Sequence, residues 1–121
     1  DLKIMHDFKK FNVWQKARVF TKEIYSISKS FPDDEKFGIT SQLRRATISI
    51  TNNIAEGCGR NSDKQLVQFL QYSYGSAVEV ENVLILATDL HFISETNFKE
   101  LNSELIQIQK MLFTLINKFK Q

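Results

Sequence analysis

Side chains that can bind an anion or a polar partner are concentrated in one segment, residues 31–62, which reads FPDDEKFGITSQLRRATISITNNIAEGCGRNS. At about 100° per residue, one polar row covers about a third of the helix expected there. Its members are Gln42, Arg45, Ser49, Asn52, Asn53 and Glu56. Such a row can form a groove for a nucleic-acid backbone or a protein partner. It can also be structural, with Arg45 and Glu56 satisfying amides between helices or subunits. We favour the structural network, because the row borders an apolar seam.

Three cations are the candidates for binding phosphate groups, and they are Arg44, Arg60 and Lys64. The stretch GCGRNS around Arg60 looks like a glycine-rich phosphate loop. It follows a helix rather than a strand, so the context of a P-loop or a dinucleotide site is missing. Free amides at the start of the next helix, near Arg60 and Lys64, offer a weaker site for a phosphate or sulfate. The alternative is that both helix ends are simply solvated.

Few residues support an enzymatic function. His6 and His91 are isolated, and the sequence has no HExxH motif, ExxH pair or Cys/His cluster, so a zinc or di-iron centre would lack ligands. Cys58 is the only cysteine and has no base close to it in the sequence. We interpret it as an ordinary packed or exposed thiol rather than a nucleophile. The sequence therefore predicts a non-enzymatic protein that needs no metal and no cofactor.

Apolar periodicity predicts the helices that position these residues. Residues 11–31 carry apolar side chains at alternating steps of three and four, which is typical of one helix seam. Pro32 should end that helix, because proline steers the residue before it away from helical geometry. A second helix should begin near Thr40 and end at Gly57 and Gly59.

Two further helices follow. Ser62 and Gln65 are spaced as a capping box, which predicts the start of a third helix running to about residue 90. Gly75 and its small neighbours should allow a close backbone approach in the middle of that helix. Ser94 is the expected N-cap of a fourth helix, which has a heptad-like apolar series through Phe119.

These elements predict an all-α fold, an antiparallel up-down-up-down four-helix bundle. The 121 residues suit a single domain over 1–121, with residues 1–10 as a tail or a frayed helix start. We find no signal-peptide pattern and no apolar run near the ~18 residues of a membrane span. With a single cysteine, we expect a cytoplasmic protein with no membrane partner.

The net charge of +2 conceals an uneven distribution. Residues 36–64 carry five Lys or Arg against two Asp or Glu, whereas residues 65–98 carry no Lys or Arg and four acidic residues. The third helix also has a second apolar stripe, which includes Tyr74, Val78 and Ile85. Since a monomer would leave this stripe bare, we expect a homo-oligomer.

The middle of the chain resembles the 23S rRNA intervening-sequence protein family. The pieces SQLRRA, NIAEG and GRNS carry the resemblance, which extends over NVWQKARVFTKEIYSISKSFP upstream and FLQYSYGSAVEVENVLILATDLHFI downstream. It covers about residues 12–119. Many members have proline where this sequence has Thr51, a difference that should straighten the second helix.

The resemblance implies a four-helix bundle that assembles as a ring-like homopentamer. Relatives include the accessory protein of diversity-generating retroelements, which works with a reverse transcriptase and nucleic acid. For most of the family no biochemical activity is established. Two hypotheses follow: an accessory module that binds an RNA or DNA backbone, and a structural or scaffolding homo-oligomer whose partner is another protein.

Overall fold

The computed structural model describes residues 6–120 and contains four α-helices. The helices are α1 (Asn12–Ser28), α2 (Ile39–Cys58), α3 (Asp63–Asp89) and α4 (Glu95–Phe119). Two short 3-10 helices, Phe8–Lys10 and Asp33–Glu35, precede α1 and α2. Residues 6–120 contain no β-strand, so the predicted all-α four-helix bundle is confirmed.

The core lies where the apolar periodicity places it. Fully buried side chains include Phe20 of α1, Ile50 of α2, Leu70 of α3 and Leu105 of α4. Each belongs to a seam with helical spacing, and together the seams bury one contiguous cluster. Helix α2 packs most extensively against α3, and α3 packs next most extensively against α4. The central position of α2 and α3 fixes the polar residues of segment 31–62 on a rigid support.

Side-chain caps begin α3 and α4 as predicted. Ser62 Oγ accepts a hydrogen bond of 3.2 Å from the backbone N–H of Gln65, and Ser94 Oγ accepts one of 3.1 Å from Asn97. Each cap satisfies one of the four amides that have no partner within the first turn of a helix. Helix α2 runs unbroken through Thr51, as expected for a helix without proline at that position.

Helix α1 ends earlier than predicted. Its last residue is Ser28, and the chain then makes a turn in which the N–H of Phe31 donates to the carbonyl of Ser28 at 3.2 Å. Phe31 stays in the core because its ring packs 5.7 Å from the ring of Phe92. Pro32 therefore starts the next 3-10 helix rather than ending α1.

Gly59 ends α2 as predicted, whereas Gly57 and Gly75 have other environments than expected. Gly57 lies within α2 and is buried, and a Cβ built on it would lie 2.8 Å from Phe69 Cβ. Gly75 has no atom within 4 Å of such a Cβ. A close approach between α2 and α3 thus occurs where α2 passes the start of α3. Gly75 itself has no close neighbour, whereas Ser76 Oγ lies 2.8 Å from Ser49 Oγ of α2 and Ala77 is fully buried. Gly59 caps α2 with an ordinary φ of −84°.

The seam of α4 shifts by one residue near its end. Ile116 is 8 % exposed, whereas Leu115, which the heptad pattern favoured, is only partly buried. A straight helix with 3.6 residues per turn drifts against a seven-residue repeat, so the buried position moves along the series.

Of the tail expected at residues 1–10, the first five residues lie outside the described part of the chain. His6 Nε2 lies 3.0 Å from Asp63 Oδ1, and its ring packs edge-on against Phe119 at 5.0 Å. Within the described range, no helix combines the length and apolar character needed to cross a membrane.

Candidate functional site

Arg44 connects α2 to the end of α1. Its Nε donates a 2.8 Å hydrogen bond to Ser28 Oγ, and its guanidinium carbon lies 4.6 Å from the centre of the Tyr25 ring. Another guanidinium nitrogen is 3.4 Å from the Tyr25 carbonyl oxygen. The side chain is half-buried by these contacts. Arg44 therefore has a structural role in the bundle, and only its remaining donors can reach a ligand.

Arg60 and Lys64 lie at the opposite end of α2. The Arg60 guanidinium makes a 3.3 Å ion pair with Glu56 and lies 4.6 Å above the centre of the Phe69 ring. Both partners of this ion pair are about half exposed, so the pair contributes little to stability. Lys64 is exposed in the first turn of α3. Glu56 thus pairs with Arg60 and does not satisfy an amide between helices.

The three candidate phosphate contacts do not form one cluster. Arg44 and Arg60 are sixteen positions apart, which corresponds to about 24 Å along a helix at 1.5 Å per residue. The N-terminus of α3 is also a poor anion site. Ser62 already caps it, and the carboxylate of Asp63 lies in its first turn beside His6.

The polar row of α2 divides into two groups. Gln42, Arg45 and Asn52 are exposed. Asn53 is half-buried, and its Nδ2 donates to the backbone oxygen of Ser49 at 2.8 Å and to Ser49 Oγ at 3.0 Å.

Hydrogen bonds between α2 and α3 involve Ser49, which belongs to the polar row, and two serines of α3, Ser73 and Ser76, which the polar row did not include. Ser49 Oγ and Ser76 Oγ form a 2.8 Å hydrogen bond, and the buried Ser73 donates to the carbonyl of Ile50 at 2.8 Å. Ser73 lies on α3 in line with the buried apolar residues Leu66, Leu70 and Ala77. A serine within such a stripe indicates a hydrogen bond across the helix interface, because a buried hydroxyl needs a partner.

The structure contains a groove between α1 and the first half of α2 with a volume of about 670 Å³. Its lining combines basic and aromatic side chains: Tyr25, Lys36, Phe37, Arg44 and Arg45. Its lining residues include no carboxylate. The sequence analysis gave no role to Lys36 and Phe37, which lie in the connection between the first two helices. One sequence feature could have indicated the groove: Phe37 stands next to a cation in residues 33–38, which have no other apolar side chain.

The described residues offer little for catalysis. They contain no group of three or more His, Cys, Asp or Glu side chains that could hold a metal ion. Burial raises the pKa of the Cys58 thiol to about 11, and the nearby Asp7 carboxylate adds to the rise. Cys58 is therefore a protonated thiol at neutral pH and lacks the thiolate that a nucleophile needs.

Comparisons with known proteins agree with this architecture. Residues 9–114 match the model of the family described as 23S rRNA-intervening sequence protein. A crystal structure of a protein with unknown function from the S23 ribosomal protein family of Bacteroides thetaiotaomicron is similar to this chain, with a TM-score of 0.80 and 26 % sequence identity. The match covers 86 % of this chain and 97 % of that one. No curated protein sequence matches the chain.

Proposed function

The chain belongs to the 23S rRNA-intervening sequence protein family, and from this premise we propose that it is a non-enzymatic homo-oligomer that binds the backbone of RNA or DNA. The family description connects such chains with ribosomal RNA. A pentameric ring is the assembly that we favour. A reverse transcriptase or another protein is a further partner consistent with this proposal.

The observation that carries the proposal is the separation of charge between α2 and α3. The exposed cations are Arg45 on α2, Arg60 in the connection to α3 and Lys64 in the first turn of α3. From Gln65 to the end of α3, all charged residues are acidic. One side of the bundle can therefore attract phosphates while another repels them, although the net charge of the chain is small.

Exposed apolar side chains support the oligomer. Val78 and Ile85 of α3 are 45 % and 43 % exposed, and Phe113 of α4 is 57 % exposed. Val78 and Ile85 lie seven residues apart and thus on the same side of α3. Odd cyclic symmetry requires two different surfaces of each protomer to meet head to tail. A ring built this way repeats each basic surface once per protomer, and this multivalency raises avidity.

Binding through phosphates predicts a defined dependence on salt. The logarithm of the affinity should fall linearly with the logarithm of the salt concentration, with a slope of about 0.7 to 0.9 for each neutralised phosphate. Fluorescence anisotropy with labelled single-stranded RNA, single-stranded DNA and duplex DNA measures this slope. Replacing Arg60 and Lys64 together by Ala should flatten the slope and leave the oligomer intact, since both side chains are exposed.

The matched control replaces Lys99 and Lys120 by Ala. Lys99 lies on α4 and Lys120 at its C-terminal end, and both are also exposed. This pair of substitutions changes the net charge equally and should alter the slope less. If the wild-type protein binds none of the three nucleic acids at low salt, the proposal is wrong. The scaffolding homo-oligomer with a protein partner would then be the better account.

A further inference from the structure

The groove between α1 and α2 has the composition of a nucleotide subsite. We infer that it binds one nucleotide unit of a single-stranded nucleic acid, with the phosphate against Lys36 and Arg45 and the base against Phe37. This inference rests on the proposed nucleic-acid function. It adds a site that lies at the other end of α2 from Arg60 and Lys64.

Charge complementarity is the first reason. Three cations line the groove, namely Lys36, Arg44 and Arg45. The carboxylate of Glu35, which lies beside the N-terminus of α2, accepts a 3.2 Å hydrogen bond from the N–H of Ile39 and is engaged there. Arg44 is held by Ser28 and Tyr25, so it contributes a fixed positive charge. Lys36 and Arg45 are exposed and can follow a phosphate.

The exposed aromatic residue is the second reason. Phe37 is 90 % exposed, which is the largest exposure among the large apolar side chains of the described residues. A cation, Lys36 Nζ, lies 5.7 Å from the centre of the Phe37 ring. Proteins that bind single strands combine basic grooves with aromatic rings on which bases stack. A duplex keeps its bases stacked on one another, so Phe37 favours a single strand.

A buried hydroxyl at the groove is the third reason. Thr40 lines the groove and is 8 % exposed, and its Oγ1 has no hydrogen-bond partner among residues 6–120. Threonine in a helix adopts two side-chain rotamers. A ligand in the groove that can accept a hydrogen bond, such as a phosphate oxygen, is a candidate for the missing partner. The cavity volume of about 670 Å³ lies in the range of small-molecule sites.

The first experiment compares two aromatic substitutions by anisotropy with a fluorescein-labelled oligouridylate of ten nucleotides. Phe37→Ala should weaken binding at least about fivefold, as expected for the loss of one base stack. Phe37→Tyr keeps an aromatic ring at the same position and should leave the affinity within about twofold of the wild-type value. The affinity for a ten-base-pair duplex should be the same for wild type and Phe37→Ala.

The second experiment tests the cations. Replacing Lys36 and Arg45 together by Gln should lower the salt slope by about 0.7 for each occupied groove, because one phosphate is then no longer neutralised. The same change at Lys99 and Lys120 is the charge-matched control. Ultraviolet crosslinking to the oligouridylate, followed by trypsin and mass spectrometry, should label the peptide of residues 37–44, which lies between the cleavage sites at Lys36 and Arg44.

The outcomes separate the two proposals. If wild type binds and Phe37→Ala binds equally well, or if residues 37–44 stay unlabelled, the subsite is wrong and the proposed function stands. If wild type binds no nucleic acid, the subsite and the proposed function are both wrong.

Light scattering tests whether the groove is instead an interface between copies of the chain. The mass of the assembly should be the same for wild type and Phe37→Ala. A lower mass for the variant would show that a second copy of the chain occupies the groove and would overturn the inference.

Discussion

Two glycine substitutions test the packing of α2 against α3 with the same chemical change. Gly57→Ala places a methyl group 2.8 Å from Phe69 Cβ and 3.3 Å from the carbonyl oxygen of Leu66. Both atoms belong to the α3 backbone or are bonded directly to it, so neither can rotate away. Gly75→Ala places the same methyl group where no atom lies within 4 Å. Neither glycine has a positive φ, so alanine fits both backbone conformations.

The magnitudes follow from two opposing effects. Alanine in place of glycine favours an exposed helix interior by about 0.5 to 1 kcal/mol. Overpacking a tight contact costs about 1 to 3 kcal/mol. Gly57 is the second-to-last residue of α2, where the gain in helix propensity is small, so overpacking dominates. We expect Gly57→Ala to lower the free energy of unfolding by about 1 to 2 kcal/mol and Gly75→Ala to raise it by about 0.5 to 1 kcal/mol.

Urea denaturation followed by far-ultraviolet circular dichroism measures both effects. With a urea slope of about 2 kcal/mol per molar, the midpoints of the two variants should differ by about 1 M. Wild type and variants are compared at one protein concentration, because association couples stability to concentration. If Gly57→Ala is as stable as wild type, or gains stability as Gly75→Ala does, then α2 and α3 do not approach as closely as described.

Three further predictions concern the surface and the thiol. Val78→Glu should reduce the oligomer mass in light scattering more strongly than Gln71→Glu, which changes a side chain that is already polar on the same side of α3, and a monomeric wild type at micromolar concentration would contradict the predicted assembly. Arg44→Ala should lower the free energy of unfolding by about 1 to 2 kcal/mol, and Arg45→Ala should change it by less than about 0.5 kcal/mol, because only Arg44 is tied to α1. Cys58 in the native protein should react with iodoacetamide about a hundredfold more slowly than in urea at pH 7.5, since its pKa is raised to about 11; equal rates would contradict this.

Periodic signals predicted the elements of the fold well. Seams of helical spacing gave the four helices, and short-range hydrogen-bond chemistry gave the caps at Ser62 and Ser94. Both signals depend on residues within four positions of each other. The end of α1 at Ser28 and the role of Gly57 depend on other helices, so no local pattern identifies them.

The groove could not be predicted for the same reason. Tyr25 and Phe37 lie on different elements, and the turn after α1 brings them to one surface. The connection between α1 and α2 contains three consecutive acidic residues, Asp33, Asp34 and Glu35, a composition that is typical of a solvent-exposed loop. The end of this connection, Lys36 and Phe37, forms part of a groove only because Tyr25 of α1 and residues of α2 line the rest of it.

Arg44 and Arg45 follow each other on α2 but have different contacts. The side chains of Arg44 and Arg45 point about 100° apart on α2. Sequence reasoning assigned phosphate binding to Arg44 and a structural role to Arg45. The contacts favour the reverse, because Arg44 donates to Ser28 and stacks on Tyr25, whereas Arg45 is exposed at the groove. A guanidinium that is already paired must lose that pairing to bind a phosphate in full, whereas an exposed one gives up only water. Arg45, together with Lys36, is thus the better residue with which to test nucleic-acid binding.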